Sequence, residues 1–151
     1  MVIVKHMNSR DLKEVLALMI EFEESNNSKE FGPQSVGKFA AIIRTYLRMS
    51  EGLFLVATSG RRVLGYLFGH AKRKYKSDFN YHHFKLVELY VTPSMRKLGV
   101  GQRLLDTCIR ELKRMGIGRV YIDVEYHDRH AMAFWKKQGF KKAWLGMERE
   151  F

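Results

Sequence analysis

The feature that most limits what this chain can fold into is the run from Val87 to Leu112, "VELYVTPSMRKLGVGQRLLDTCIREL". Together with the residues just before it, its opening predicts a strand from Phe84 to Thr92. A basic turn carrying two glycines follows. Leu104, Leu105, Cys108, Ile109 and Leu112 then recur at helical spacing, which predicts a helix reaching about Met115, where "MGIGR" ends it. "VYIDVEY", Val120 to Tyr126, predicts the next strand. Two strands joined by a crossover helix are expected to be parallel and adjacent, with a right-handed connection. The glycine turn then lies at the C-terminal end of a strand, where open α/β sheets bind ligands.

The rest of the chain fits around that unit. "VIVKHM", Val2 to Met7, predicts a first strand. Asn8 or Ser9 can cap a helix over Arg10 to Glu24, with Leu12, Val15, Leu16, Met19 and Ile20 on one stripe. "SNNSKEFGPQS" reads as a polar connection, and Val36 to Met49 as a second helix presenting Phe39, Ile42, Ile43 and Tyr46. "GLFLVATSGRRVLGYLFGHAKRK" predicts a hairpin and "KRKYKSDFNYHH" a basic, aromatic loop. "RHAMAFWKKQ" predicts a last helix and "GFKKAWLGMEREF" a closing strand. The order describes one α/β domain over residues 1–151, with an antiparallel beginning and a βαβ unit in its second half.

Composition adds limits. The N-terminus lacks a signal peptide's apolar segment, and no apolar run is long enough to cross a bilayer, so no membrane partner is expected. The single cysteine, Cys108, excludes an internal disulfide and fits a reducing cytoplasm; its place on the helix stripe makes it a core residue rather than a nucleophile. His127 and His130 form an H-x-x-H without further ligands at zinc spacing, so no metal site is expected. Lys and Arg number 27 against 16 Asp and Glu, a net charge of +11. That field speeds encounter with nucleic acid, acidic protein or a phosphorylated ligand, and equally describes a well-solvated surface.

The glycine turn carries more chemistry. A helix N-terminus exposes unpaired N–H groups and the positive end of the dipole, so it receives anions. Gly99 and Gly101 clear side chains from that approach, Arg96 and Lys97 add mobile positive charge, and Gln102 and Arg103 lie in the first helical turn. The plain alternative is a strand-to-helix turn whose glycines serve packing. No G-x-x-x-x-G-K-[ST] is present, and Leu104 stands where a third glycine would complete G-x-G-x-x-G.

"VTPSMRKLGVGQRLL" resembles the R/Q-x-x-G-x-G/A signature of the GNAT N-acetyltransferase family, with Arg96, Gly99 and Gly101 on its fixed positions. "AMAFWKKQGFKK" is similar to that family's second motif, A-x-x-[LF]-Y-x-K-x-G-F, through Ala131, Phe134, Lys137, Gly139 and Phe140. The resemblance implies a central mixed, twisted sheet of six to seven strands flanked by four helices. Acetyl-CoA would lie between splayed strands Phe84–Thr92 and Val120–Tyr126. Its pyrophosphate would meet the backbone from Leu98 through Val100 to Gln102, and its pantetheine arm would pair with Leu89, Tyr90 and Val91. The carbonyl would meet a backbone N–H near Val91.

The implied reaction is direct acetyl transfer to a primary amine on a protein N-terminus, a lysine or a small molecule. Such a transfer needs a base, and Glu88 occupies a strand position where many relatives carry an acid. Alternation groups Glu88 with Phe84, Leu86 and Tyr90, where aromatic neighbours raise a carboxyl pKa; the alternative is an ion pair. Asp123 is the competing base, or a solvated acid. Trp135 replaces the family's tyrosine, whose phenol protonates the leaving thiolate, and an indole cannot release that proton. That leaves water, Tyr90 or Tyr126. Asp128 stands where the family has Asn at the start of the last helix and can cap it equally well. The loop over residues 72–83 suits an acceptor-side lid or nucleic-acid contact, and His82 and His83 read as surface residues beside the cleft. A non-catalytic acyl-CoA-binding module is the alternative from another class, and a basic nucleic-acid-binding protein a third. Because many relatives finish with two strands, the last sheet edge is short or completed by a partner subunit in a homodimer.

Overall fold

The computed structural model describes the backbone of residues 1–26, 33–76 and 79–151, and their side chains except those of 33–34, 73–76 and 79–82. Strand β1 (Ile3–His6) leads through a 3-10 turn at Ser9–Asp11 into helix α1 (Leu12–Ser25). Asn8 sets that entry: its Oδ1 accepts from the Arg10 N–H at 2.9 Å, and its own N–H donates to the Asp11 carboxylate at 3.0 Å. Helix α2 (Pro33–Arg48) opens on a proline, a residue suited to a first helical turn. The expected polar connection over residues 25–35 lies largely outside the described residues.

Strands β2 (Gly52–Ser59), β3 (Arg62–Lys76) and β4 (Phe79–Val91) form an antiparallel meander. From Gly69 opposite Leu86, β3 and β4 keep one register out to Lys76 opposite Phe79. The expected loop over residues 72–83 is therefore mostly the tip of a long hairpin, because its alternation continues the strand period. Helix α3 (Val100–Arg114), strand β5 (Val120–Tyr121) and helix α4 (Arg129–Lys137) complete the regular structure.

Among the described residues the sheet has five strands in the order β1-β2-β3-β4-β5, rather than six or seven. The expected closing strand is absent, residues 138–151 being irregular, and the strand expected over Val120–Tyr126 pairs only through Val120 and Tyr121. The rest of the architecture follows expectation: among the described residues a mixed α/β sheet is flanked by four helices, and its one parallel pair is β4 with β5. No helix among the described residues is long and apolar enough to cross a membrane.

The sheet separates two cores. α1 and α2 cover one face, where Val15, Met19, Ile43, Phe54, Tyr66 and Phe68 pack. α3 and α4 cover the other, where Leu55, Leu67, Phe84, Leu86, Leu104 and Cys108 pack. β4 changes its allegiance between them. Phe68 pairs with Glu88 but Gly69 with Leu86, so Val87 is an extra, unpaired residue. Phe84 and Leu86 face α3, as do Leu89 and Val91, while Glu88 and Tyr90 turn toward α1 and α2. The expected grouping of Glu88 with Phe84 and Leu86 is corrected by this bulge, which resets the alternation by one residue.

Candidate functional site

The site begins where β4 leaves its neighbour. β5 pairs with β4 only at Phe84–Val120 and Lys85–Tyr121, and the bulge at Val87 follows at once. A bulged strand bends, so the two parallel strands diverge from this point. On the β3 side, the Thr92 N–H donates to the Leu64 carbonyl at 3.0 Å. Strand alternation then turns the backbone groups of Leu89 and Val91 toward the opening. An extended ligand arm can add there as a strand would.

At the end of β4 the chain folds tightly into α3. Lys97 and Gly99 both take left-handed backbone conformations, φ 61° and 80°, a region that glycine enters without strain. Gly99 is the N-cap residue of α3, with no side chain capping the helix, and the first intrahelical bond runs from the Arg103 N–H to the Gly99 carbonyl at 3.0 Å. The N–H groups of Val100, Gly101 and Gln102 thus point outward at the positive end of the helix dipole. A Cβ at Gly101 would make only ordinary contacts, 3.4 Å to Phe134 and 3.6 Å to Leu89, so packing does not demand a glycine there. Its absence leaves the amides open to an anion, and a phosphorylated ligand fits this cradle.

The side chains around the cradle differ in their freedom. Arg96 is held rather than mobile: its Nε donates to the Val91 carbonyl at 2.9 Å and its guanidinium lies 5.4 Å from the Tyr90 ring centroid. It ties the turn to the strand. Gln102 donates to Asp106 at 3.0 Å and Arg103 to the Val2 carbonyl at 3.3 Å, so in this turn the backbone amides, not these side chains, face outward. Leu98 is exposed at the rim.

Across the sheet, Glu88 opens onto a cavity of about 260 Å³ between α1, α2 and the β3–β4 hairpin. α1 supplies Met19, Phe22 and Glu23, and α2 supplies Phe39, Ile42 and Tyr46. Phe68, Val87 and Glu88 form the sheet wall. Burial pushes the Glu88 carboxyl up to about 7, opposed by a hydrogen bond from the Tyr66 hydroxyl and reinforced by the nearby Glu23 charge. Tyr66 sits on β3 diagonally across from Glu88, buried and with its own pKa raised by that burial. Its usefulness is invisible in sequence, where it is one aromatic residue in an apolar strand. Glu23 likewise meets Glu88 only through tertiary packing. Behind the cavity, Tyr46 Oη and His70 Nδ1 are 2.9 Å apart, and burial with Lys72 and Lys85 lowers the His70 pKa.

The other residues singled out in sequence lie elsewhere. Asp123 is paired with the Lys85 ammonium, its side chain two-thirds exposed. Trp135 is buried in the α3-side core, with Phe134 and Phe140 each 5.0 Å from it, ring centre to ring centre. The Tyr90 hydroxyl donates to Glu21 at 2.7 Å, and burial with that bond pushes its pKa up to about 12. Tyr126 is exposed. Asp128 caps α4 as expected, accepting from the Ala131 N–H at 2.8 Å. Cys108 is fully buried, as its stripe position implied, and burial raises its thiol to about 12. His83 is buried against the edge of Tyr121 rather than on the surface, and the side chain of His82 lies outside those described.

A family model described as the acetyltransferase (GNAT) family matches residues 16–140. No curated protein matches the chain. Among solved structures, a transcriptional regulator from Bacillus halodurans superposes with a TM-score of 0.82 at 16% identity, over 100% of both chains. A putative acetyl transferase from Pyrococcus furiosus does so with a TM-score of 0.79 at 19% identity, again over 100% of both. The aminoglycoside N-acetyltransferase AAC(6')-Iy, solved in complex with CoA, gives 0.82 at 14% identity, over 100% of this chain and 95% of that one. These likenesses show a shared fold.

Proposed function

Because the chain belongs to the GNAT acetyltransferase family, we propose that it transfers the acetyl group of acetyl-CoA directly to a primary amine in a ternary complex. The observation that carries this reading is the position of Glu88. A carboxyl with a pKa near 7 stands between an apolar cavity able to admit an acceptor and the open edge of β4. That is the poise expected of a base working near neutral pH.

The geometry supports the following roles. The amides of Val100, Gly101 and Gln102 hold the pyrophosphate, with Lys97 and the exposed rim at Leu98 beside them. Leu89 and Val91 align the pantetheine arm by strand addition, and an outward amide at Val91 meets the thioester oxygen, where negative charge develops. Acetyl-CoA supplies the activated acyl carbon. Glu88 takes the proton from the acceptor ammonium, and the freed amine attacks that carbon. The C–N bond forms and the C–S bond breaks. The proton that the attacking nitrogen sheds as it becomes an amide passes through water to the departing thiolate, since Trp135 has none to give and Tyr90 holds its own too tightly. Asp123, committed to Lys85, ranks behind Glu88 as the base. The buried single cysteine suits a cytoplasmic setting.

Release of CoA, followed over an amine panel, tests the reading. Glu88→Gln should lower kcat/KM about 100-fold or more near pH 7, with Asp123→Asn close to the parent. Micromolar acetyl-CoA binding without turnover of any amine would instead identify a non-catalytic acyl-CoA-binding module, the role that the tryptophan at position 135 favours.

A further inference from the structure

The cavity beside Glu88 has a chemistry of its own. Seven of its nine lining side chains are apolar or aromatic; the two carboxylates, Glu23 and Glu88, are the exceptions. Its volume, about 260 Å³, lies below the range of roughly 300–1,000 Å³ that encloses a drug-sized ligand. The aromatic wall is preset. Tyr46 stands edge-on to Phe68 at 4.8 Å, and Phe68 stacks on Phe54 at 5.0 Å. The Tyr46 hydroxyl is already engaged with His70, so this wall offers a ring face more than a free polar group.

Resting on the acetyltransferase reading, we propose that the acceptor is a compact monoamine whose single cation is carried on an apolar, ring-bearing body, with Glu23 as the anchoring carboxylate. Glu23 lines the cavity beside Glu88 and offers the acceptor ammonium a second carboxylate besides the one assigned to take its proton. A polycation such as an aminoglycoside or a polyamine would bring further charges to walls with no third acid among the described residues, leaving them buried without partners there. An apolar body fills the same walls favourably, and the rings attract the adjacent cation. The net charge of +11 also repels polycations on approach and penalises a monocation less.

The test compares 2-phenylethylamine, spermidine, kanamycin and a lysine-containing peptide as acceptors, by CoA release and by calorimetric binding to the protein saturated with CoA. The expected result is a kcat/KM for 2-phenylethylamine at least about tenfold above the others. Glu23→Gln should raise its KM about tenfold, with a smaller change in kcat from loss of the charge that helps raise Glu88. Ile42→Trp, at a partly exposed position on the cavity wall, should raise KM similarly by filling the space while leaving acetyl-CoA affinity intact. Preference for spermidine, kanamycin or the peptide, or a 2-phenylethylamine KM unmoved in both variants, overturns the inference while leaving acetyl transfer standing. If no amine is turned over, binding of 2-phenylethylamine that both variants weaken keeps the pocket assignment and ends the transfer reading. No binding ends both.

Discussion

Glu88 is tuned chiefly by burial against one hydrogen bond, and the balance between them is measurable. Burial raises its carboxyl to about 7, and the Tyr66 hydroxyl pulls it back by favouring the anion. Tyr66→Phe removes the pull, so the acidic limb of the kcat/KM profile should move above pH 7, and Glu88→Gln should abolish that limb. The same shift governs stability. Unfolded, the carboxyl titrates near 4.3; folded, it holds its proton to about 7. The folded state thus binds the extra proton between those values, and stability falls as pH rises through the window. Glu88→Gln, which never ionises, should gain on the parent across that window by up to about 3 kcal/mol at pH 8 and match it more closely at pH 4, read by denaturant melts. Sequence alone singled out Glu88 but not its tuner. Tyr66 and Glu23 become its neighbours only through the β3–β4 register and the packing of α1, which no local spacing encodes.

At the level of elements, the bulge at Val87 explains both what the sequence made legible and what it hid. Helices were readable because their apolar stripes and caps are local: Asn8, Asp128 and the Leu104–Leu112 stripe each end or face as their spacing requires. The glycine turn was readable for the same reason. The bulge was not, since an apolar run with period two continues smoothly through "KLVELYV" whichever residue is left unpaired. The short pairing of β5 follows from the same bend, so the regular strand is shorter than the pattern of "VYIDVEY" implies. Gly69 sits against this irregularity: a Cβ there would lie 2.3 Å from the Lys85 carbonyl oxygen and 2.6 Å from the Phe84 ring. Gly69→Ala should therefore destabilise by about 2–3 kcal/mol and lower acceptor turnover by shifting Glu88, as thermal melts and CoA release would show. Gly37→Ala, with open space around it in α2, serves as the control and should stabilise by about 0.5–1 kcal/mol. A Gly69→Ala protein as stable as the parent would sink this account of the bulge.

Over the whole molecule, charge and connectivity are distributed unevenly. A chain with net charge +11 places two carboxylates, Glu23 and Glu88, on one small cavity, so its overall sign describes the donor's phosphates better than the acceptor. The sheet is equally lopsided: β1 to β4 form one extensive antiparallel ladder, whereas β5 joins it through two residue pairs. α4 and the residues after it depend on side-chain packing, through Trp135 and Phe140, for the rest of their attachment. A ligand arm bound along Leu89 and Val91 would supply backbone bonds that β5 does not. Saturation with CoA at about 100 times its Kd should then suppress opening of this region about 100-fold, visible as slower tryptic cleavage after Arg119, Arg129 and Lys141. Equal cleavage with and without CoA would show that the attachment does not depend on the ligand. On that expectation the two-pair junction would tie the protein's lifetime among proteases to the supply of CoA and its thioesters: occupied copies would persist, and empty ones would be cleared first.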